Sequence, residues 1–338
     1  MKDTIQIVNF LLTRRCNLQC SYCGIARNTN NRLKHFYENE VNTERVIKFL
    51  EKLKKHNPNS FVIWYGGEPL LRNDLAEIIR YCNFNDINYT IITNNTDIIQ
   101  KRIKKLIYDV GYLQGLTSSV DPYILLNKKD DITIKSNKGL LGLIKFKKYV
   151  KDLVAEITVD KNTINNLYNL VKILTDNDIS SSITFLDIAK SEYYDFSNVK
   201  SSENLVYPTE ELKEILKRIL DENLNVHMKD LIYNKIYDIL PSNLKCYEDN
   251  KNIHNLTVDA DGSIRCCLRI QGSYCPTYNT IENVFDENYN VSELYKMNFE
   301  NDYKYYCKGC NWTCMLFSDL LSRDDSKLDD LLHSEKRS

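Results

Sequence analysis

Three cysteines near the amino terminus are spaced to hold a metal cluster. Cys16, Cys20 and Cys23 place three thiols within eight residues. A loop this short does not favour relaxed disulfides, but it can wrap one face of a cuboidal iron–sulfur cluster. Three thiolates on a four-iron cluster leave one iron without a protein ligand, and an open metal position can bind and activate a small molecule. A zinc knuckle is the alternative for the same thiols.

The composition favours metal binding over disulfides. The 338 residues include 11 cysteines, 45 Lys plus Arg and 46 Asp plus Glu, which gives a net charge of −1. A charge so balanced predicts no electrostatic binding of nucleic acid or of an acidic membrane. No apolar run approaches the roughly 18 residues of a membrane helix, and the start of the chain lacks the cleavage site of a signal peptide. We therefore expect a cytoplasmic protein, whose reducing compartment keeps thiols reduced.

Strands and helices alternate along residues 5–188. The predicted strands are 5–12, 61–65, 89–93, 113–120, 155–159 and 183–188. Amphipathic helices lie between them, and Thr43 is predicted to cap the first. This alternation predicts an α/β fold with parallel βαβ units in an open or closed barrel. In such folds the chemistry lies at the carboxyl ends of the strands.

Polar or glycine-rich stretches follow four of these strands. The cysteine loop follows the first strand, and Gly66-Gly67-Glu68-Pro69 follows the second. Two glycines permit close backbone approach and unusual φ, and Glu68 supplies an acceptor for an ammonium group. Thr93-Asn94-Asn95-Thr96 follows the third strand, and Ser119-Val120-Asp121-Pro122 follows the fourth.

These stretches together resemble the radical SAM superfamily. C-x3-C-x2-C with an aromatic residue, here Tyr22, before the last cysteine is typical of that family. The second stretch resembles the GGEP motif that contacts the methionine amino group of S-adenosylmethionine (SAM). The third resembles the T-N-G-T loop, with Asn95 in place of glycine, and asparagine tolerates positive φ. The fourth resembles S-x-D-G-P without its glycine; helix capping and a turn are the alternative roles for Ser119 and Asp121.

The resemblance implies a fold, a reaction and cofactors. The fold is a partial (β/α)6 TIM barrel over residues 1–200, with a four-iron cluster on Cys16, Cys20 and Cys23. When reduced, the cluster passes one electron to SAM, and the resulting 5′-deoxyadenosyl radical takes a hydrogen atom from a substrate. A one-electron donor such as flavodoxin or ferredoxin is the expected partner. The implied cofactor contacts are Tyr22, Gly66, Gly67, Glu68, Pro69, Thr93, Asn94, Ser119 and Asp121; no catalytic side chain is assigned.

A second cysteine group lies near the carboxyl terminus. Fifteen residues separate Cys246 from Gly262, and four separate Gly262 from Cys267. The spacing resembles the opening of SPASM and twitch domains, which hold auxiliary iron–sulfur clusters, and Asp261-Gly262 predicts the hairpin between the two cysteines. Cys307 and Cys310 add a C-x2-C knuckle. The resemblance implies one auxiliary cluster in a module at 245–317, after a helical bridge at 201–244 and before a tail at 318–338.

The ligand set of this second group stays open. Cys314 can replace Cys307 or Cys310, and Cys275 is a weaker candidate. Cys266 and Cys82 are predicted to be packed thiols, because cysteines outside metal sites are often buried. A zinc ion held by four thiolates is the alternative to iron and sulfide.

The substrate is the least constrained part of the prediction. Family members with such modules mostly modify ribosomally made peptides or proteins by crosslinking, epimerisation or oxidation, and we expect a peptide maturase. Peptide maturases often carry an N-terminal winged-helix domain that binds the leader peptide, and none fits here because Cys16 comes so early. This weakens the peptide prediction without removing it, since a separate chain can bind the leader. A small-molecule dehydrogenase is the alternative; an electron-transfer protein and a zinc-stabilised binding module are the non-enzyme alternatives. The GTP cyclase of molybdopterin synthesis shares the stretch Gly66 to Arg72, but its C-terminal C-x2-C-x13-C and basic tail are not matched, so we exclude it.

Overall fold

The computed structural model describes residues 5, 7–18, 20, 39–120, 138–159, 164–185, 210–227, 255–265 and 280–286. Its strands are β1 (Ile7–Thr13), β2 (Phe61–Gly66), β3 (Asn88–Thr93), β4 (Leu113–Ser119), β5 (Val150–Val159), β6 (Ser180–Phe185), β7 (Asn255–Val258) and β8 (Ile264–Arg265). These strands form one sheet in the order β6-β5-β4-β3-β2-β1-β7-β8. Each strand from β1 to β5 pairs in parallel with the strand that follows it in the sequence. The predicted α/β class is confirmed, and the arrangement is consistent with a partial (β/α)6 TIM barrel.

Helices connect the parallel strands. They are α1 (Thr43–His56), α2 (Leu75–Phe84), α3 (Asp97–Val110), α4 (Lys138–Phe146), α5 (Ile164–Asp176) and α6 (Glu210–Asp221), with short 3-10 turns at Pro69–Leu71 and Lys147–Tyr149. Within the described residues, no helix combines the length and the apolar content that a membrane span requires. The order of these elements confirms the predicted alternation of strands and helices within the described residues.

An aromatic contact fixes the first helix over the first two strands. Phe10 of β1 is fully buried between Phe49 of α1 and Trp64 of β2, with ring centroids 5.7 and 5.4 Å apart. Burying each such side chain contributes roughly 1.5–3 kcal/mol. This packing holds β1, and with it the start of the cysteine loop, against the neighbouring strand.

The prediction that Thr43 caps α1 is wrong by one residue. Asn42 is the N-cap, and its side-chain oxygen accepts a hydrogen bond from the Arg45 backbone N–H at 3.0 Å. Thr43 lies in the first turn, and its hydroxyl donates to Asp74 at 2.5 Å. Both residue types are good caps, so the choice depends on Asp74, a partner that is distant in sequence.

Two strands begin earlier than predicted. β5 starts at Val150 rather than at 155, and β6 starts at Ser180 rather than at 183. The added residues include Lys151 and Asp152, which are exposed, and serines in place of apolar side chains. A search for apolar runs misses such residues, because strand pairing needs only the backbone.

The carboxyl-terminal hairpin is joined to the barrel sheet. β7 and β8 pair antiparallel around the turn at Asp261-Gly262, and Gly262 has φ +87°, as the predicted hairpin requires. β7 also pairs in parallel with β1, so the hairpin extends the sheet beyond its first strand. α6 lies within the region predicted as a helical bridge, 201–244. The domain boundaries at 200, 244 and 317 stay predictions, and the predicted tail lies outside the described residues.

Candidate functional site

The stretches singled out in the sequence lie at one edge of the sheet. Cys16 follows β1, Gly66 ends β2, Asn94 follows β3 and Ser119 ends β4. Because β1 to β4 run in parallel, their carboxyl ends meet at the same edge. The fold therefore brings together groups that are separated by up to about a hundred residues in sequence, as the alternation predicted.

Two glycines let the cysteine loop lie directly on the end of β2. Gly67 N donates to Thr13 O at 2.7 Å, and Glu68 N donates to Arg15 O at 2.8 Å. A Cβ on Gly66 would lie 2.2 Å from Thr13 O, and one on Gly67 would lie 2.3 Å from Arg15 O. Gly66 also has φ +145°, which disfavours other residues. The close backbone approach expected from the glycine pair is present, and it fixes where the cysteine loop begins.

Glu68 ties the loop after β2 to the loop after β3. Its side chain is fully buried and accepts hydrogen bonds from Leu70 N at 3.1 Å, Thr93 Oγ1 at 3.0 Å and Asn94 N at 2.8 Å. Burial raises the pKa of Glu68 above its ordinary value, against the opposing effect of these bonds and of the charge on Arg102. The Glu68 carboxylate therefore accepts hydrogen bonds from three groups of the chain itself. Its contact with the ammonium group of SAM stays a prediction.

The loop after β3 reaches the cysteine loop through its amides. Asn94 Nδ2 lies 3.8 Å from Cys16 Sγ and 2.9 Å from Asn17 Oδ1. Asn17 Nδ2 in turn donates to Thr96 Oγ1 at 2.9 Å. Asn95, which stands where the family motif has glycine, has φ +49°, as its tolerance of positive φ allowed. The two loops are thus locked together around Cys16.

Two N–H groups contact the sulfur of Cys16. It lies 3.4 Å from Leu18 N in addition to its contact with the Asn94 amide, so two N–H groups point towards one sulfur. Cys16 and Cys20 are half-buried and form no disulfide. Within the described ranges, no group of three or more His, Cys, Asp or Glu residues could hold a metal ion. The third predicted ligand, Cys23, lies outside those ranges, as do Tyr22 and Asp121.

The carboxyl-terminal ligand predictions are not tested by the structure. Five of these cysteines lie outside the described residues: Cys246, Cys267, Cys307, Cys310 and Cys314. Cys266 and Cys275 lie outside them as well. By contrast, Cys82 of α2 is fully buried, and burial raises the pKa of its thiol far above the ordinary value. The prediction of a packed thiol is confirmed for Cys82.

A buried ion cluster, which sequence reasoning missed, joins the cysteine loop to the hairpin. Arg14 donates to Asp259 through Nε at 3.0 Å and Nη2 at 2.6 Å, and Arg265 Nη1 donates to the same carboxylate at 3.1 Å. Exposure is 4% for Arg14, 0% for Asp259 and 1% for Arg265. Burial alone would raise the pKa of Asp259, but the two arginine charges hold it below its ordinary value. No local pattern could reveal a contact between residues 245 apart.

A second missed group lies inside the barrel. One face of β5 packs against the helices α4, α5 and α6 through the buried side chains of Ala155, Ile157 and Val159. Glu156 alternates with these residues, so it faces the other side of the sheet, towards the interior of the barrel. It pairs in register with Ser119 and Ser182 and accepts a hydrogen bond from Thr184. Burial raises the pKa of Glu156, and the hydroxyls of Thr184 and Ser182 oppose that change. The apolar alternation of β5 was a signal that could have indicated this carboxylate.

Part of the chain matches the model of a known protein family. Residues 10–115 match the family model described as the radical SAM superfamily. GTP 3′,8-cyclase of Aquifex aeolicus aligns at 25% identity over 86% of this chain and 89% of its own length. Three other curated relatives align at 29% to 34% identity, and the chain spans only 25% to 60% of their length.

Two solved structures resemble this chain in fold. SuiB of Streptococcus suis, bound to the precursor peptide SuiA, superposes with a TM-score of 0.56 at 14% identity, covering 92% of this chain and 68% of SuiB. The protein anSMEcpe with bound AdoMet superposes with a TM-score of 0.58 at 17% identity, covering 98% and 99%. At such identities the likeness concerns the fold alone.

Replacing Asp259 by Asn should lower the free energy of unfolding by about 3–5 kcal/mol, because two buried guanidinium groups lose their counter-ion. Since the folded-state pKa of Asp259 is lowered, its contribution is complete at neutral pH and is lost as the pH falls through that pKa. Urea denaturation followed by circular dichroism measures the change. Asp178→Asn is the control, because Asp178 forms an exposed ion pair with Lys147. Equal effects of the two substitutions would contradict the structural role of the ion cluster.

Proposed function

We propose that the protein is an enzyme that reductively cleaves SAM. The proposal proceeds from the premise that residues 10–115 form a radical SAM superfamily domain. The observation that carries the proposal is the cysteine loop at the carboxyl end of β1, packed against the Gly66-Gly67 end of β2. A closed four-cysteine site would serve electron transfer, whereas three cysteines leave one iron open for a ligand.

The donors around Cys16 fit a cluster ligand. Thiolates prefer iron–sulfur clusters and zinc, and N–H groups directed at sulfur stabilise the negative charge that a reduced cluster carries. Cys16 has two such donors in Leu18 N and the Asn94 amide. We assign Cys16, Cys20 and Cys23 as the three ligands of a [4Fe-4S] cluster. These cysteines would hold a cluster that, when reduced, would supply one electron for the cleavage of SAM to methionine and a 5′-deoxyadenosyl radical able to take a hydrogen atom from the substrate.

The remaining residues position the reactants. Gly66 and Gly67 let the cysteine loop lie on β2, and Glu68 fixes the loop that follows β3. Ser119 and Glu156 lie in register on β4 and β5, which places two polar groups near this end of the barrel interior. We propose that Gly66, Gly67, Glu68, Pro69, Thr93, Asn94 and Ser119, together with Tyr22 and Asp121, contact SAM.

A peptide or protein is the substrate that we favour. SuiB has this fold and was solved with its precursor peptide, which supports a peptide-modifying reaction such as crosslinking, epimerisation or oxidation. We propose one auxiliary [4Fe-4S] cluster on four of Cys246, Cys267, Cys307, Cys310 and Cys314. A flavodoxin or ferredoxin is the proposed electron donor. A small-molecule dehydrogenase stays the alternative within the same chemistry.

A GTP cyclase is the second candidate, and one observation favours it. The alignment with GTP 3′,8-cyclase of Aquifex aeolicus extends over 86% of this chain, which favours a cyclase although the cysteine pattern excludes it. The cysteine pattern still argues against it, because Cys307, Cys310 and Cys314 do not form the C-x2-C-x13-C pattern of that enzyme.

Replacing Cys16, Cys20 and Cys23 together by Ala should abolish the formation of 5′-deoxyadenosine from SAM under dithionite, since no cluster ligand remains. Chromatography of the anaerobic reaction measures the product, and the iron content should fall by about four per chain. Cys82→Ala is the control, because the Cys82 thiol is fully buried on α2 and is not one of the proposed cluster ligands. Undiminished 5′-deoxyadenosine from the triple variant would refute the assignment.

The wild-type protein should contain about eight irons per chain with equal sulfide, because two four-iron clusters are proposed. Replacing Cys246 and Cys267 by Ala should remove about four of them, whereas Cys275→Ala should remove none. Iron, zinc and sulfide analysis of anaerobically purified protein measures this. About four irons together with one zinc would establish the zinc alternative for the carboxyl-terminal cysteines.

GTP should not stimulate 5′-deoxyadenosine formation by the reduced protein, because the cyclase cysteine pattern is not matched. The rate with SAM alone is compared with the rates after addition of GTP and, as a charge-matched control, of ATP. A GTP-specific increase, accompanied by a cyclised nucleotide in mass spectrometry, would replace the peptide proposal with the cyclase.

A further inference from the structure

The contact between Asn94 and Cys16 crosses from one loop of the barrel edge to another. Asn94 Nδ2 lies 3.8 Å from Cys16 Sγ, and its second contact, Asn17 Oδ1 at 2.9 Å, belongs to the residue next to that cysteine. The Asn94 side-chain oxygen accepts from Thr96 N at 3.2 Å. These contacts use both ends of the carboxamide and orient its NH2 group towards the sulfur.

The backbone of Asn94 is fixed independently by Glu68. The fully buried carboxylate accepts from Asn94 N at 2.8 Å and from the preceding Thr93 hydroxyl at 3.0 and 3.1 Å. Two neighbouring donors, the Thr93 hydroxyl and the Asn94 backbone N–H, therefore meet on one buried side chain. Glu68 thus holds the segment that carries the amide without contacting the sulfur itself.

An N–H donor at a cluster sulfur has a known electrostatic consequence. Reduction adds an electron whose charge is shared with the ligand sulfurs, so a donor stabilises the reduced state more than the oxidised state and raises the reduction potential. Leu18 N supplies one such donor from within the loop, as a short loop can do unaided. Asn94 adds a donor from the loop after β3, which links the potential to the position of that loop against the cysteine loop after β1.

We propose that the Asn94 carboxamide raises the reduction potential of the cluster held by Cys16, and that Glu68 is the positioning residue for this amide. The inference rests on the proposed function, since it requires the N-terminal cluster. It assigns to Asn94 a role at the sulfur that is separate from any contact with SAM. Reduction of the cluster by an electron donor becomes easier because the amide is already oriented.

An EPR-monitored titration with dithionite tests the proposal on the full chain, loaded with iron and sulfide under anaerobic conditions. The N-terminal cluster is identified as the one whose EPR signal changes when SAM is added. The titration itself is run without SAM, so that a lost SAM contact cannot cause a shift. Asn94→Leu, which has similar size and no donor, should shift the midpoint to a more negative potential. Asn94→Asp should shift it further, because it also places a negative charge near the sulfur.

Two further variants complete the design. Asn177→Leu is the matched control; Asn177 precedes β6, at the opposite edge of the sheet, and its amide donates to Ile173 O, so the midpoint should not move. Glu68→Gln keeps the size but weakens the hold on Asn94, and should give a smaller negative shift. An unchanged midpoint in Glu68→Gln would remove Glu68 from the proposal.

The outcomes separate this inference from the proposed function. A wild-type protein without a SAM-responsive cluster would refute the proposed function itself. With that cluster present, unchanged midpoints in both Asn94 variants would overturn the inference alone. Loss of iron from both Asn94 variants would overturn it as well, because Asn94 would then serve cluster assembly rather than potential.

Discussion

The position of the cysteine loop depends on the close approach of two backbone segments, the ends of β1 and β2, which leaves no room for a side chain. The carbonyls of Thr13 and Arg15 lie 2.2 and 2.3 Å from where a Cβ would stand on Gly66 and Gly67. Parallel pairing of β1 with β2 brings these segments together, and the missing side chains let them hydrogen-bond. Glu68, whose carboxylate accepts from Asn94 N, directly follows this pair of glycines.

Charge links this edge to the far end of the chain. Asp259 holds Arg14 and Arg265 in one buried cluster, and Arg14 lies two residues before Cys16. Removing one partner of a buried ion pair leaves the others without compensation, so such a cluster tolerates no partial disruption. The hairpin that lies between Cys246 and Cys267 in the sequence is therefore tied by buried charges to the start of the loop that carries Cys16.

The parts of the fold that sequence could predict are those with local signals. The order of strands and helices followed from periodicity, and Asn95 took the positive φ that its residue type allows. The cysteine loop and the glycine pair stood out by spacing alone. Features that depend on distant partners could not be predicted: Thr43, the expected cap of α1, contacts Asp74 instead, and Asp259 is 245 residues from Arg14. Serines and charged residues hid the first residues of β5 and β6, which only the backbone pairing defines.

The parallel pairing of β7 with β1 has a consequence for the order of assembly. β1 can pair with β2 once some sixty residues have left the ribosome, but its other edge must wait for residues 255–258. Contacts of such sequence separation form late, because closing a long loop costs entropy before the contact contributes. During synthesis β1 therefore keeps one unpaired strand edge beside the cysteine loop until residues 255–258 have been made.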